Sequence, residues 1–377
     1  MADPIPLIDL QAQRLALGPA LDGAIAEAVA GGRWILGPQV DELEKQLAEF
    51  AGVKHALGCA NGTDALLLIL RAWGIGAGDA VFVPAFTFVA TAEVVSLVGA
   101  TPVFVDVLEH SFNIDPESLK SAIAMVRADG ELKPRAIIPV DLFGQPADYR
   151  AIEPIAEAEK LFLLCDTAQG FGGSLDNRRT GSIGHAAATS FFPAKPLGCY
   201  GDGGACFTDD DALAEQLRSL RMHGQSAERY QHTLIGLNSR LDTIQAAILI
   251  EKLKIFPEEI EARERIARRY NEAFSQGDGI QVPKLIEGAR SVWAQYTLQL
   301  SNREKLQDDL KDEGIPTAVY YPIPLSRQRA YSHYPSVPIG VSDALSRKVV
   351  SLPMHPYLIE ATQDRITSAV LKSVSDA

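Results

Sequence analysis

The chain has 377 residues, which is long for a single hydrophobic core and favours two domains. Hydrophobic residues make up 47% of the sequence and charged residues 22%, as in an ordinary globular protein. The formal net charge is −13, and no block of lysine or arginine interrupts this acidic balance. Nucleic acid and anionic membranes are therefore not expected as partners, because both require a concentrated basic surface.

The N-terminus and the cysteines indicate a cytoplasmic protein. MADPIPLIDL lacks the basic region and apolar core of a secretory signal. The most apolar region, 80–107, is interrupted by prolines and a glutamate, so it is not expected to cross a membrane. The 4 cysteines form no CxxC pair and no metal-ligand spacing. We expect reduced, partly buried thiols and no metal site; the cysteines are Cys59, Cys165, Cys199 and Cys206.

Up to residue 209, short apolar strands alternate with helical patterns. In chain order, strands are predicted at 55–59, 80–84, 102–107, 135–143, 161–166 and 186–192, and helices at 62–74, 87–99, 115–126 and 146–160. The strands are nearly continuous apolar runs, which is typical of a parallel sheet covered by helices on both faces. The pattern predicts a large α/β domain over residues 1–255 with a doubly wound, mainly parallel sheet.

After residue 209 the pattern changes to helices with few strands. Helices are predicted at 209–222, 239–256, 258–274, 302–314 and the last fifteen residues, and short strands at 293–300 and 317–323. This predicts a smaller C-terminal α+β domain over residues 256–377.

Ligands of open parallel sheets bind outside the carboxyl ends of the strands, so the functional residues are expected directly after strands. In CANGTDAL (59–66) a strand leads into a turn and the start of a helix. The backbone N–H groups of Gly62 and Thr63, with the Thr63 hydroxyl, could bind a phosphate there. A plain helix cap explains the same residues equally well.

A carboxylate and an amine follow two further strands. Asp166 ends the apolar strand LFLLCD, where a desolvated carboxylate requires a cation or several donors. An Asx-type turn is the alternative. Ser190 and Lys195 follow the strand AAATSFF in a loop of small residues. Burial lowers the pKa of an amine and makes it a usable nucleophile and proton carrier. The alternative, a solvated surface lysine, fits the apolar neighbours poorly.

Together these features describe one ligand. PAFTFVAT (84–91) adds Phe86 and Phe88, either of which could stack on a flat ring, although an aromatic residue in an apolar run is more often core. A phosphate at a helix N-terminus, a carboxylate opposite a ring nitrogen and a lysine for an aldehyde match pyridoxal 5′-phosphate (PLP). The glycines of GIGAG (74–78) do not fit GxGxxG and precede a strand, which argues against a nicotinamide site.

Longer motifs resemble the sugar aminotransferases of the DegT/DnrJ/EryC1/StrS family over nearly the whole chain, from IDLQAQ to LPMHPYL. The motifs are WILGPQVDELE, CANGTDAL, VDLFGQPAD, SFFPAKPLGCYGDGGACF, NSRLDTIQAAIL, AQYTLQL and YPIPL. They are most similar to the subgroup that aminates C3 of UDP-2-acetamido-2-deoxy-3-oxo-glucuronate. The resemblance implies an aspartate-aminotransferase-like fold (PLP fold type I), L-glutamate as amino donor, pyridoxamine 5′-phosphate in the second half-reaction, and a product for a surface glycan such as O-antigen.

The resemblance also implies a role for each matching residue. Lys195 would form the Schiff base with PLP and carry the proton, Asp166 would pair with the ring nitrogen, and Gln169 would bind the ring hydroxyl. Phe88 would stack on the ring, and Gly62, Thr63 and Ser190 would bind the phosphate. Asn238 would reach the phosphate from the second subunit of a homodimer, and Arg240 would bind a substrate carboxylate. Without the resemblance, a helix N-cap and a surface ion pair would be preferred for these last two.

One departure concerns the sugar. Tyr320 and Tyr321 precede PIPL where close relatives carry histidine then tyrosine, and histidine can carry a charge that tyrosine does not. The alternatives are therefore a dTDP-3-oxo-6-deoxyhexose or a 4-oxo nucleotide sugar. A sugar dehydratase of the same fold would have histidine in place of Lys195. A non-catalytic regulator would not be expected to keep the set of Asp166, Gln169, Ser190 and Lys195.

Overall fold

The computed structural model describes residues 5–228, 230–275, 277 and 279–376. Its centre is a seven-stranded sheet in the order β1-β9-β8-β5-β4-β2-β3. The strands are β1 His55–Cys59, β2 Asp79–Pro84, β3 Thr101–Val105, β4 Lys133–Ile137, β5 Phe162–Asp166, β6 Ser174–Leu175, β7 Arg178–Arg179, β8 Ala186–Ser190, β9 Gly204–Thr208, β10 Ala289–Arg290, β11 Tyr296–Gln299 and β12 Val349–Leu352. In the central sheet β9 runs antiparallel to both of its neighbours, and the other pairs are parallel.

Helices cover both faces of this sheet. They are α1 Leu10–Ala30, α2 Pro38–Ala51, α3 Gly62–Ala72, α4 Ala90–Leu97, α5 Pro116–Asp129, α6 Tyr149–Glu159, α7 Asp211–Leu220, α8 Thr243–Phe274, α9 Arg303–Asp312, α10 Gly340–Lys348 and α11 Glu360–Ser375, with short 3₁₀ turns at Leu142–Gly144 and Leu325–Arg327. The predicted doubly wound, mainly parallel α/β architecture is confirmed.

The continuous apolar pattern of the strands follows from this double cover. In β2, Phe82 packs into the core that α2 and α5 cover. Its neighbours Val81 and Val83 point to the opposite face, where they pack with residues of α3 and α4. Because successive side chains of a strand point to opposite faces, a strand that is buried on both faces must be apolar at every position.

A third core lies in the C-terminal part of the chain. It contains Ile5 and a set of residues between 266 and 370, including Tyr270 and Tyr296, whose ring centroids are 4.7 Å apart. Helix α8 contributes to two cores, since Phe256 and Ile260 pack on the central sheet and Tyr270 packs in the third core. The predicted boundary between residues 255 and 256 falls inside α8, and the division into two domains stays a prediction.

Four predicted elements differ from the structure. The helices expected at 239–256 and 258–274 form one helix, α8, with Pro257 inside it. Proline removes one helical hydrogen bond, but the apolar residues on either side are buried against the sheet and keep the helix continuous. The strand expected at 135–143 ends at Ile137; beyond it Val140 pairs with Asp166 through an isolated bridge, and Phe143 has a φ of 59°. The segment 317–323 is not a strand and pairs through a bridge between Ala318 and Ser351.

All four cysteines lie in the described residues, where they are buried and free of disulfide bonds, as expected. Within the described ranges, no helix has both the length and the apolar character that a membrane span needs. The cytoplasmic location stays a prediction.

Candidate active site

The neighbouring strands β5 and β8 end at the same edge of the sheet and bring two of the predicted residues together. Asp166 is the last residue of β5 and pairs in register with Ala188 of β8, two residues before Ser190. The loop with Lys195 follows directly. Parallel strands have their carboxyl ends at one edge, which places Asp166, Ser190 and the Lys195 loop side by side.

Asp166 is buried and accepts two hydrogen bonds. Its Oδ2 accepts from the Thr91 hydroxyl at 2.9 Å, and its Oδ1 accepts from the Ala168 N–H at 3.2 Å. Burial raises the pKa of Asp166, and the two hydrogen bonds and the positive charge of Lys195 oppose this rise only in part. The carboxylate is therefore preorganised by fixed donors and faces a cation.

Lys195 is partly buried in the loop after β8. Its backbone N–H donates to the Phe192 carbonyl oxygen at 2.8 Å. Burial lowers the pKa of Lys195, and the negative charge of Asp166 raises it in part. A lysine with a lowered pKa has a larger fraction of neutral amine, which is the form that attacks a carbonyl group and accepts a proton.

The N-terminus of α3 packs directly on Ser190. An ideal Cβ added to Gly62 would lie 2.6 Å from the Ser190 Cβ, so only glycine permits this approach. The Asn61 side chain accepts from the Asp64 N–H at 2.8 Å. The N–H groups of Gly62 and Thr63, in the first helical turn, have no partner within a helix, by the geometry of helix starts. These two N–H groups and the Ser190 hydroxyl form a site suited to a phosphate.

Gln169 is buried and its amide is oriented by two hydrogen bonds. Its Oε1 accepts from the Phe143 N–H at 2.9 Å, and its Nε2 donates to the Tyr321 hydroxyl at 3.1 Å. Because the oxygen end binds the backbone, the nitrogen end is the one that faces Tyr321. The Nε2 group has two hydrogens, so a second oxygen acceptor can be bound beside Tyr321.

Aromatic rings line this edge of the sheet. The Phe88 side chain is 51% exposed, and its ring centroid lies 6.3 Å from that of Tyr321. Phe86 is buried and meets Tyr321 edge to face at 6.2 Å. Tyr320 meets Tyr321 edge to face at 5.9 Å. Of the two phenylalanines that the sequence proposes for stacking, Phe88 presents a free ring face and Phe86 belongs to the core.

Asn238 and Arg240 lie beside the turn that precedes α3. Between them, Ser239 accepts through Oγ from the Ala60 N–H at 3.2 Å. Asn238 is exposed and Arg240 is partly buried, with its Nη1 4.0 Å from the Met222 sulfur. Asn238 and Arg240 are therefore near the site and accessible, but their predicted roles toward a second subunit and a carboxylate stay predictions.

These residues fit PLP by the chemistry of their groups. The site offers N–H and hydroxyl donors for a phosphate, a buried carboxylate for a ring nitrogen, an oriented amide donor for a ring hydroxyl and an amine for an aldehyde. The Gly62–Ser190 contact supports this fit most directly, since a side chain at residue 62 would occupy the space between the start of α3 and Ser190 that is suited to a phosphate.

Two residues of the site were not identified from the sequence. Thr91 lies in the first turn of α4 and donates to Asp166. Asp141 is fully buried, accepts from the Tyr149 hydroxyl at 2.7 Å, and its backbone N–H donates to the Asp166 carbonyl oxygen at 3.0 Å. Asp141 lies in the motif VDLFGQPAD, which was recognised as a whole without a role for this carboxylate.

The fold and the site define a PLP-dependent enzyme with an α/β fold of type I. Residues 17–371 match the model of the DegT/DnrJ/EryC1/StrS aminotransferase family, and the chain belongs to that family. It is therefore a PLP-dependent aminotransferase, and the fold, cofactor and enzyme class predicted from the sequence are confirmed.

Three similar proteins support this assignment. The UDP-2-acetamido-2-deoxy-3-oxo-D-glucuronate aminotransferase of Pseudomonas aeruginosa is 47% identical over 97% of this chain and 99% of its own length. A DegT DnrJ EryC1 StrS aminotransferase from Brucella abortus has a crystal structure that is 55% identical, with a TM-score of 0.96 over 98% of this chain and 99% of that one. The NtdA protein of Bacillus subtilis, solved with bound PMP, is 27% identical with a TM-score of 0.90 over 100% of this chain and 86% of that one.

Proposed function

We propose that this aminotransferase moves an amino group from L-glutamate to C3 of UDP-2-acetamido-2-deoxy-3-oxo-glucuronate, as a step in making a surface-glycan precursor such as that of O-antigen. The observation that carries the proposal is the 47% identity to the Pseudomonas aeruginosa protein of that name along nearly the whole of both chains. The amine, carboxylate and phosphate cradle at one sheet edge support the reaction type.

The bound cofactor supplies an aldehyde that exchanges amino groups and a ring that withdraws electrons. Asp166 would hold the ring nitrogen in its charged form, and the Gln169 amide would donate to the ring hydroxyl. Phe88 would stack on the ring. Gly62, Thr63 and Ser190 would bind the phosphate. Together these groups would orient the cofactor toward Lys195.

Lys195 is the base and acid of the reaction. As a neutral amine, its Nζ removes the proton from the carbon that bears the amino group of L-glutamate. As an ammonium, the same atom returns a proton, and in the second half-reaction it delivers one at C3 of the sugar. A single amine can perform both steps because burial brings its pKa closer to neutrality.

The substrates are bound by residues at the mouth of the site. Arg240 binds the carboxylate of the sugar acid or of L-glutamate, because a guanidinium matches a carboxylate with two parallel hydrogen bonds. Tyr320 and Tyr321 offer neutral hydroxyls to the sugar. The active unit is a homodimer in which Asn238 of one copy completes the phosphate site of the other.

The first experiment follows the visible absorption of the PLP-loaded enzyme while UDP-2-acetamido-3-amino-2,3-dideoxy-glucuronate, the expected product, is added. Loss of the absorption of the lysine-bound cofactor, with growth of the PMP band, would support the sugar and the reaction together. An unchanged spectrum with this sugar, when L-glutamate does change it, would refute the sugar and leave a 6-deoxy or 4-oxo sugar. If the uronate is the substrate, Arg240→Ala should weaken its use selectively and should not affect a sugar that lacks the C6 carboxylate.

Lys195→Ala should abolish turnover, because the enzyme would lose the amine that carries the proton in both half-reactions. Turnover near that of the wild type would refute the assignment.

Co-expression of Lys195→Ala with Asn238→Ala tests whether each active site is built from both subunits. In a mixed dimer one site has both residues intact if Asn238 acts across subunits, so activity should return. Without such return, Asn238 does not act across the interface.

A further inference from the structure

The loop that carries Lys195 is held from one side by α8. Gln245 and Lys252 lie seven residues apart on this helix, which places them on one face about two turns apart. The Gln245 Oε1 accepts from the Tyr200 N–H at 2.8 Å, and the Lys252 Nζ donates to the Gly198 carbonyl oxygen at 2.6 Å. The helix therefore binds the loop backbone at two points, three and five residues after Lys195.

Lys252 is unusual because it is buried, with only 1% of its surface exposed. It contacts the Lys195 loop at two residues. Besides its hydrogen bond to Gly198, its Nζ lies 4.4 Å from the centroid of the Tyr200 ring. Burial lowers the pKa of Lys252 to about 8, and the charge of Glu259 raises it in part. A buried amine costs stability compared with an apolar side chain of similar size. The stability of the fold by itself therefore does not account for a lysine here.

Inside the loop, the segment bound by α8 packs on the segment that carries Lys195. The Phe192 carbonyl oxygen accepts from the Lys195 N–H at 2.8 Å. A Cβ added to Gly198 would lie 2.6 Å from that same oxygen. Gly198 thus touches the group that fixes the Lys195 backbone, and a displacement of Gly198 would be passed on to Lys195.

We propose that Gln245 and Lys252 are positioning residues that fix the backbone of residues 198–200 and, through Phe192, the direction of the Lys195 side chain. The proposal rests on the catalytic role assigned to Lys195 in the proposed function. The two side chains act on the loop by different means, one as an acceptor and one as a donor, so each can be removed separately.

The test compares Lys252→Met and Gln245→Leu, which keep size and remove the hydrogen bond, with two controls. Gln245→Glu keeps an acceptor for the Tyr200 N–H. Lys254→Met removes an exposed lysine that pairs with Glu251 on the same helix. We expect kcat to fall roughly 10- to 100-fold in the first two variants, since a displacement of about 1 Å can cost that much. The KM for L-glutamate should change less than about threefold, and both controls should keep the wild-type kcat.

A second readout does not depend on catalysis. In the full chain without added cofactor, amide hydrogen exchange of Lys195 and Cys199 should be at least about tenfold faster in Lys252→Met and Gln245→Leu than in the wild type. Unchanged exchange in both variants would overturn the proposal. The proposal would also be overturned if the kcat of Gln245→Glu fell as far as that of Gln245→Leu. Failure of the proposed function would instead appear as an active Lys195→Ala enzyme, which leaves the exchange result valid.

Discussion

The ends of β4 and β5 present two buried carboxylates with different surroundings. Asp166 accepts from Thr91 and Ala168, and burial raises its pKa, an effect that these two hydrogen bonds and the positive charge of Lys195 oppose only in part. Asp141 accepts from Tyr149 and Ala147, its Oδ2 has no hydrogen-bond partner among the described residues, and burial raises its pKa to about 7. Burial is the main effect at both carboxyl groups and raises both pKa values, and the two groups differ in the neighbouring charge. The ammonium of Lys195 lowers the pKa of Asp166 slightly, whereas the carboxylate of Asp166 raises that of Asp141.

The largest expected difference between the two carboxylates is in turnover. Asp166→Asn should lower kcat by about 100-fold or more, because in the proposed function the ring nitrogen of the cofactor would lose its counter-charge in a buried site. Asp141→Asn should keep kcat within about tenfold, since an amide replaces a carboxyl group whose pKa of about 7 leaves much of it neutral at neutral pH. Steady-state assays with L-glutamate and the nucleotide sugar measure both, and an Asp141→Asn enzyme as slow as Asp166→Asn would contradict the comparison.

The second difference is in the pH dependence of stability. The folded pKa of Asp141 is about 7, above the value of about 3.9 for an unfolded aspartate. Between pH 4 and 7 the unfolded chain releases this proton and the folded chain keeps it, so the free energy of unfolding falls as pH rises. The loss amounts to roughly 4 kcal/mol over this window.

Asp141→Asn removes this contribution, so the variant should gain stability over the wild type as pH rises from 4 to 7. Urea unfolding of both proteins at matched cofactor and protein concentrations measures the difference. Parallel pH profiles for the two proteins would show that Asp141 does not titrate in this window.

The donors of the two carboxylates provide a third, smaller test. Thr91→Val removes the hydroxyl that lowers the pKa of Asp166, so the pKa rises and kcat should fall roughly tenfold, the value of one hydrogen bond to a charged group. Tyr149→Phe removes the donor to Asp141 and should reduce the free energy of unfolding by roughly 1–3 kcal/mol with little change in kcat. The comparison fails if Tyr149→Phe lowers kcat more than Thr91→Val.

The smallest effect is expected at Tyr321, which lies next to Asp166 without binding it. Tyr321→Phe removes the acceptor for the Gln169 amide, and loss of one neutral hydrogen bond should lower kcat by about threefold. Burial raises the pKa of the Tyr321 hydroxyl, which therefore stays neutral, and the pH profile of kcat should keep its shape. A changed profile would mean that the hydroxyl takes part in proton transfer.

Much of the site could be predicted because its residues follow strands in the sequence. Apolar runs in the sequence predicted the strands β1, β2, β3 and β5. Asp166 and Ser190 stand at the ends of strands, which placed both residues at one edge of the sheet. The helices α1 and α2 were not predicted from the sequence. The sequence also did not predict that residues 243–274 form a single helix, because a local pattern does not show that the residues around Pro257 are buried against the sheet. Helix α8 is stabilised by tertiary burial instead.

The sequence by itself determined the type of fold, the cofactor and the Lys195 motif, since each depends on local patterns or on long, specific motifs. The tertiary structure alone decided which donors serve each carboxylate and which side chains hold the Lys195 loop. Thr91 and Asp166 are 75 residues apart, and Lys252 and Gly198 are 54 residues apart. Contacts over such separations depend on how helices pack against the sheet, and packing is a property of the whole chain that no local stretch specifies.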